Sequence, residues 1–191
     1  MPFRLMMALL GCVVVSWMPA AHAYEALPQP AGQVSTAQVR ALFAPDDDVA
    51  GQIVAAIRQS RRQVLVQAFS FTHDGIARAL IEAHRRGVDV RLIADREQTE
   101  NMERGQVPGI ARAGVPVWLD GEHQSAHNKV MVIDAGLPAA QVITGSFNFT
   151  RAAQHKNAEN VVFISGSAGL ARDYAVNWQR HLAHARPLAI H

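Results

Sequence analysis

Between residues 37 and 185 short apolar, β-branched runs alternate with longer amphipathic segments, and this alternation restricts the fold more than any other feature of the chain. The runs "AQVRALFAP" (37–45), "VLVQAFSF" (64–71), "VDVRLIAD" (88–95), "VPVWLD" (115–120) and "NVVFISG" (160–166) read as strands. Between the first two, "DDDVAGQIVAAIRQSRR" (46–62) has acids at its front and arginines at its back, as a helix dipole favours. "THDGIARALIEAHRRG" (72–87) predicts a helix ending at Gly87, and "VPGIARAG" (107–114) a short one. "SAGLARDYAVNWQRHLAHA" (167–185) is a final amphipathic helix, and residues 125–150 read as two strands around a turn at "AGLPAA". Strands alternating with helices specify an α/β domain, a mixed sheet covered by helices on both faces. No internal repeat of 20 to 50 residues is present, which bears on the number of sites below.

At 191 residues, 49% apolar and 18% charged, the chain suits one globular domain, expected over residues 37–186 after an arm at 24–36. The front is a targeting segment. Arg4 supplies a positive start, "LMMALLGCVVVSWM" the apolar run, and Ala21-His22-Ala23 a small-x-small cleavage site, so the mature chain begins at Tyr24. This predicts a periplasmic or secreted protein; lipid attachment at Cys12 is the lesser alternative. Cleavage removes the only cysteine, which excludes thiol chemistry and Cys-based metal sites. The net charge of +2 and pI near 9.1 tolerate a polyanionic partner without requiring one.

The chain has sixteen arginines and only two lysines, and one of those, Lys129, stands two residues after a histidine in "SAHNKVMVID". On a strand, His127 and Lys129 share a face, and in "TGSFNF" Ser146 and Asn148 share one while Phe147 and Phe149 point into the core. If the two strands are neighbours, an imidazole, an ammonium, a hydroxyl and a carboxamide meet on one patch. A phosphodiester needs that set: a nucleophile or acid, a compact positive charge, and donors for the non-bridging oxygens. Asp134 falls off the face by parity and is expected to pin the strand end or the turn. Taken alone, a His-x-Lys pair is most often a solvated polar face. A zinc pair of His123 with His127 would require a helix where the alternation predicts a strand, and no metal is expected. His73, His84, His155, His181, His184 and His191 show no partner pattern and read as surface or capping residues.

The order His127-x-Lys129, Asp134, then Gly145-Ser146-x-Asn148 resembles the HKD motif of the phospholipase D superfamily. "AFSFTHDGIARALIEAHRRGVDVRLIAD", "GSFNFTRAAQHKNAENVVFI" and Trp178 are similar to its small secreted bacterial endonuclease branch, over residues 37–182. Ten residues separate Asp134 from Gly145 where about six are usual for the family, an extended turn expected to alter the rim of the site. The resemblance implies a metal-independent phosphodiesterase with a phosphohistidine intermediate and no cofactor. It makes His127 the nucleophile, Lys129, Ser146 and Asn148 binders of phosphoryl oxygens, and Glu159 the acid that orients the histidine. Such chemistry uses two histidines, one attacking and one protonating the leaving group. With one motif and no repeat, a homodimer sharing one site is the expected assembly. DNA is the expected substrate, with RNA as a further option. A phospholipase D or cardiolipin-type lipid hydrolase, and a silent phosphate-binding module, are the rivals.

Overall fold

The structure, a computed structural model, describes residues 37–190. The leader at 1–23, Cys12 and the arm at 24–36 lie outside the described residues. In chain order the elements are β1 (Gln38–Ala44), α1 (Val49–Gln59), β2 (Gln63–Ala68), α2 (Asp74–Arg85), β3 (Asp89–Asp95), α3 (Arg96–Asn101) and α4 (Val107–Arg112). There follow β4 (Val117–Asp120), β5 (Lys129–Ile133), β6 (Gln141–Gly145), α5 (Arg151–His155), β7 (Glu159–Ser165), α6 (Ala168–Leu182) and β8 (Arg186–Pro187).

Helix ends are set locally, as the sequence predicts. Asp48 caps α1 by accepting the Gly51 N–H at 2.9 Å, and His73 caps α2 through Nδ1, which accepts the Ile76 N–H. Gly87, at φ 88°, lets the chain leave α2 in the left-handed region that other residues avoid. Three elements escape the sequence reading. Helix α3 buries none of its residues and so shows no apolar period; only its cap, Asp95 accepting the Gln98 N–H, announces it. Helix α5 has five residues and β8 has two, too few for a period to show.

All eight strands form one mixed sheet in the order β1-β7-β6-β5-β2-β3-β4-β8, with β2, β3 and β4 parallel and the remaining pairs antiparallel. Strand alternation sorts the core into two layers. Val64, Val66, Leu92, Met131, Ile143 and Phe163 face α1, α2, α4 and α5. Leu65, Ile93, Val130, Val132 and Val142 face α6, whose Trp178 is fully buried and donates its indole N–H to the Val66 carbonyl at 2.9 Å. The sheet is covered on both faces, as expected, but not evenly. Helix α6 packs on β2, β4, β5 and β6. Beyond its reach Val39 and Phe43 of β1 stand 63% and 58% exposed.

Pairing decides where the chemistry collects. Ala68, the last residue of β2, is opposite Lys129, Gly145 is opposite Val161, and Ala44 is opposite Glu159. The end of β2, the start of β5, the end of β6 and the start of β7 therefore lie at one end of the sheet. It is the carboxyl end of the parallel strands, where open α/β sheets bind ligands.

Candidate active site

His127 and Lys129 come from the entry into β5. The strand begins at Lys129, so His127 lies on the approaching loop and not within a strand, contrary to the expectation for "HNKVMVID". The two are nonetheless joined. Lys129 is 7% exposed, and its Nζ folds back to donate to the His127 carbonyl at 2.6 Å. The ring of Phe69 holds both, with the ammonium 4.7 Å from its centroid and the imidazole at 4.4 Å. This is why the run predicted as strand over 64–71 leaves the sheet after Ala68: Phe69 turns to the site, and Phe71 makes only a lone bridge to Phe149. Burial lowers the Lys129 pKa below the ordinary lysine value, and the nearby Glu159 carboxylate partly opposes this.

Ser146 and Asn148 likewise lie just past the end of β6, yet their alternation with Phe147 and Phe149 persists. Both phenylalanines are buried, Ser146 is exposed and Asn148 half-buried. Gly145 has a steric duty: a Cβ there would sit 2.1 Å from the Asn160 carbonyl oxygen, so only glycine lets β6 close on β7 at this point.

Glu159, at the start of β7, accepts the Ser146 hydroxyl at 2.5 Å and the Asn157 amide at 2.9 Å. Among the described residues Glu159 makes no bond to His127, the residue that the resemblance implies it orients. Among the described residues the His127 ring has only its contact with Phe69 and no hydrogen bond. The serine hydroxyl has one proton, and Glu159 takes it. The Asn148 side chain makes no hydrogen bond among the described residues, and its Oδ1 is buried without a partner. Unspent hydrogen-bonding capacity at that place suits a ligand.

Asp134 is buried and does what parity predicts. Its carboxylate accepts the backbone N–H groups of Arg61, Arg62 and Gln63 at 2.7–3.2 Å, tying the β5 end to the start of β2. Its backbone, at φ 53°, lies in the left-handed region that aspartate tolerates better than most residues. Asp134→Ala should leave three donors without their acceptor and destabilise the fold by about 3 kcal/mol. Urea unfolding checks this; an unchanged midpoint would mean that water satisfies those donors equally well. The extended turn after Asp134 is at the far end of the β5–β6 hairpin from Lys129 and Gly145, so it does not shape the rim as expected.

The histidine inventory also needs correction. His181 and His184, read as surface or capping residues, converge with His123 on the buried Asp120. Spacing along the chain could not show it, because Asp120 and His181 are 61 residues apart. The available signal was Asp-x-x-His before a loop and His-x-x-His at a helix end.

Comparison with known proteins adds the following. The family described as cardiolipin synthase, PLD-like domain, matches residues 53–182. Phospholipase D from Rickettsia bellii is 37% identical over 146 residues, 76% of this chain and 70% of its own length. A mitochondrial cardiolipin hydrolase from Chlamydomonas reinhardtii is 27% identical over 170 residues, covering 76% of this chain and 74% of the relative. Among solved structures, the phospholipase D family member Nuc from Salmonella typhimurium has a TM-score of 0.73 and 32% identity, over 80% of this chain and 98% of Nuc.

Proposed function

This chain belongs to the PLD-like domain family of the phospholipase D superfamily, a phosphodiesterase lineage, and from that membership we propose that it is an exported, metal-independent endonuclease acting as a homodimer. The observation that carries the reading is an exposed imidazole without a hydrogen bond, His127, set beside a buried ammonium, Lys129. A ring nitrogen of His127 attacks phosphorus, forming a P–N bond as the P–O bond to the leaving sugar breaks. The leaving oxygen takes its proton from His127 of a second copy. Water, deprotonated by that same imidazole, then attacks phosphorus and releases the first histidine. Lys129 spends one of its three N–H donors on the His127 carbonyl and has two left for non-bridging oxygens. Asn148 offers its carboxamide, and Ser146 joins once its hydroxyl turns from Glu159.

Two features support the shared site. One chain carries one His127 and no repeat. The part of the sheet face that α6 leaves open runs from Val39 and Phe43 to the half-buried Val162, and Phe43 lies toward the end of the sheet that carries Glu159 and Ser146. A second copy on that face would cover the exposed apolar side chains and bring its own His127 close.

The likeness to Nuc over nearly all of its length and the basic pI support nucleic acid as substrate. Relatives named phospholipase D and cardiolipin hydrolase make a lipid phosphodiester the second reading. Against it, among the described residues the exposed large apolar side chains are Val39, Phe43, Val176 and Ile190, which form no loop around His127. The leader read at 1–23 supports export.

Plasmid DNA and phosphatidylcholine vesicles, each incubated with the protein in excess EDTA, separate the readings. Full DNA cleavage with intact vesicles is the expected result. Lipid hydrolysis alone would select the second reading, and inactivity on both would leave a phosphate-binding module. Activity lost in EDTA and restored by magnesium would overturn the metal-independent mechanism.

A further inference from the structure

A second constellation lies at the same end of the sheet, two strands beyond β2. Asp120 ends β4, opposite Asp95 of β3, and is 1% exposed. Its Oδ2 is 2.8 Å from His181 Nδ1 and 3.2 Å from His184 Nε2. Its Oδ1 is 3.5 Å from His123 Nδ1 and accepts the Glu122 N–H at 3.2 Å. The three imidazole rings stand 5.2–5.3 Å apart, centroid to centroid, in every pairing. Three residues aimed at one hidden carboxylate from a loop and from the last turns of a helix are more than a surface needs.

We propose that Asp120, His123, His181 and His184 form a binding site for a divalent transition-metal ion of the zinc class. One ligand atom from each residue can be chosen so that all four lie within 4.8 Å of one another. Tetrahedral zinc with bonds of about 2.0–2.2 Å places its ligand atoms roughly 3.3–3.5 Å apart. The contacts to the two Asp120 oxygens, at 2.8–3.5 Å, bracket that separation, and no other pair needs to close by more than about 1.4 Å, within the reach of side-chain rotation. Three neutral imidazoles and one carboxylate are a nitrogen-rich borderline donor set, which favours zinc over calcium or magnesium. Entry is open: a hollow of about 310 Å³ lined by Asp120, Glu122, His123 and Arg96 leads to the cluster.

The site would act on position, not on the reaction. His123 belongs to the loop between β4 and β5, whose end carries His127, while His181 and His184 come from the end of α6. A bound ion would fasten that loop to the helix. The Ala126 N–H, donated to Asp95 Oδ2 at 2.8 Å, already pins the loop one residue before His127. The inference is independent of the substrate, and cleavage in EDTA remains expected wherever the stripped chain stays folded.

Equilibrium dialysis of the purified full chain against zinc, after chelator treatment, tests the site. One zinc per chain is expected, held with a Kd below about 1 μM, together with a rise in the thermal midpoint. His123→Gln and His184→Gln should each weaken binding at least about 100-fold and cancel the thermal shift. His155→Gln, exposed at the end of α5, should retain the ion. Because the His123 side chain is 49% exposed on a loop, its variant is expected to fold and decides the matter if a helix variant does not. Absence of bound zinc, or undiminished retention by His123→Gln, would reduce the cluster to a hydrogen-bonded carboxylate.

Discussion

A purified heterodimer pairing the wild-type chain with a His127→Asn chain should cleave DNA at no more than about one thousandth of the wild-type rate. The proposed mechanism requires two imidazoles, one as nucleophile and one as acid, and assigns a single one, His127, to each chain. Asparagine keeps the polarity and approximate size of the exposed side chain but neither attacks phosphorus nor donates a readily ionised proton. Since the His127 ring has no hydrogen bond among the described residues, and the carbonyl that accepts from Lys129 belongs to the backbone, the substitution should disturb neither the loop nor the fold, and the thermal midpoint should hold. Differently tagged chains, co-expressed and purified through both tags in turn, give the mixed species. If it kept about half the wild-type rate, the two sites would be independent and a histidine of the same chain would be the acid.

Lys129→Arg should cost about 100- to 1000-fold in kcat although the charge is retained. The ammonium occupies a confined place, 7% exposed, between the His127 carbonyl and the face of Phe69. A guanidinium is larger, planar and fixed in its donor directions, so it cannot keep the bond to the carbonyl and still aim at the same non-bridging oxygens. Lys156, exposed at the end of α5, is the control, and its change to Arg should alter turnover little. A pH profile adds a second readout. Burial holds the Lys129 pKa below the ordinary lysine value, so wild-type kcat should fall on the alkaline side earlier than a free lysine would dictate. Near-wild-type turnover from Lys129→Arg would return the residue to a merely structural place beside Phe69.

How much of this was legible beforehand depends on the distance over which a pattern acts. Strand alternation correctly turned Phe147 and Phe149 inward, left Ser146 outside and separated Asp134 from the His127 patch, although the polar residues proved to lie just beyond the strands. Helices with an apolar face to bury were visible; α3, which buries nothing, was not. The bond that Glu159 makes within the chain was not legible for a related reason. Its carboxylate bonds Ser146, 13 residues away along the chain but brought close where β6 pairs with β7.

The sequence by itself determined the chemical groups, their order and the local direction of most of them, because side-chain periods of two and 3.6 residues are properties of neighbouring positions. Only the tertiary structure decided which donor each carboxylate would serve. Asp134 took three backbone N–H groups from the start of β2, Glu159 took Ser146, and Asp120 gathered three histidines from two distant segments. The physical reason is range. A carboxylate bonds whatever donor stands within about 3 Å in space, and strand order, which no local pattern encodes, sets what stands there.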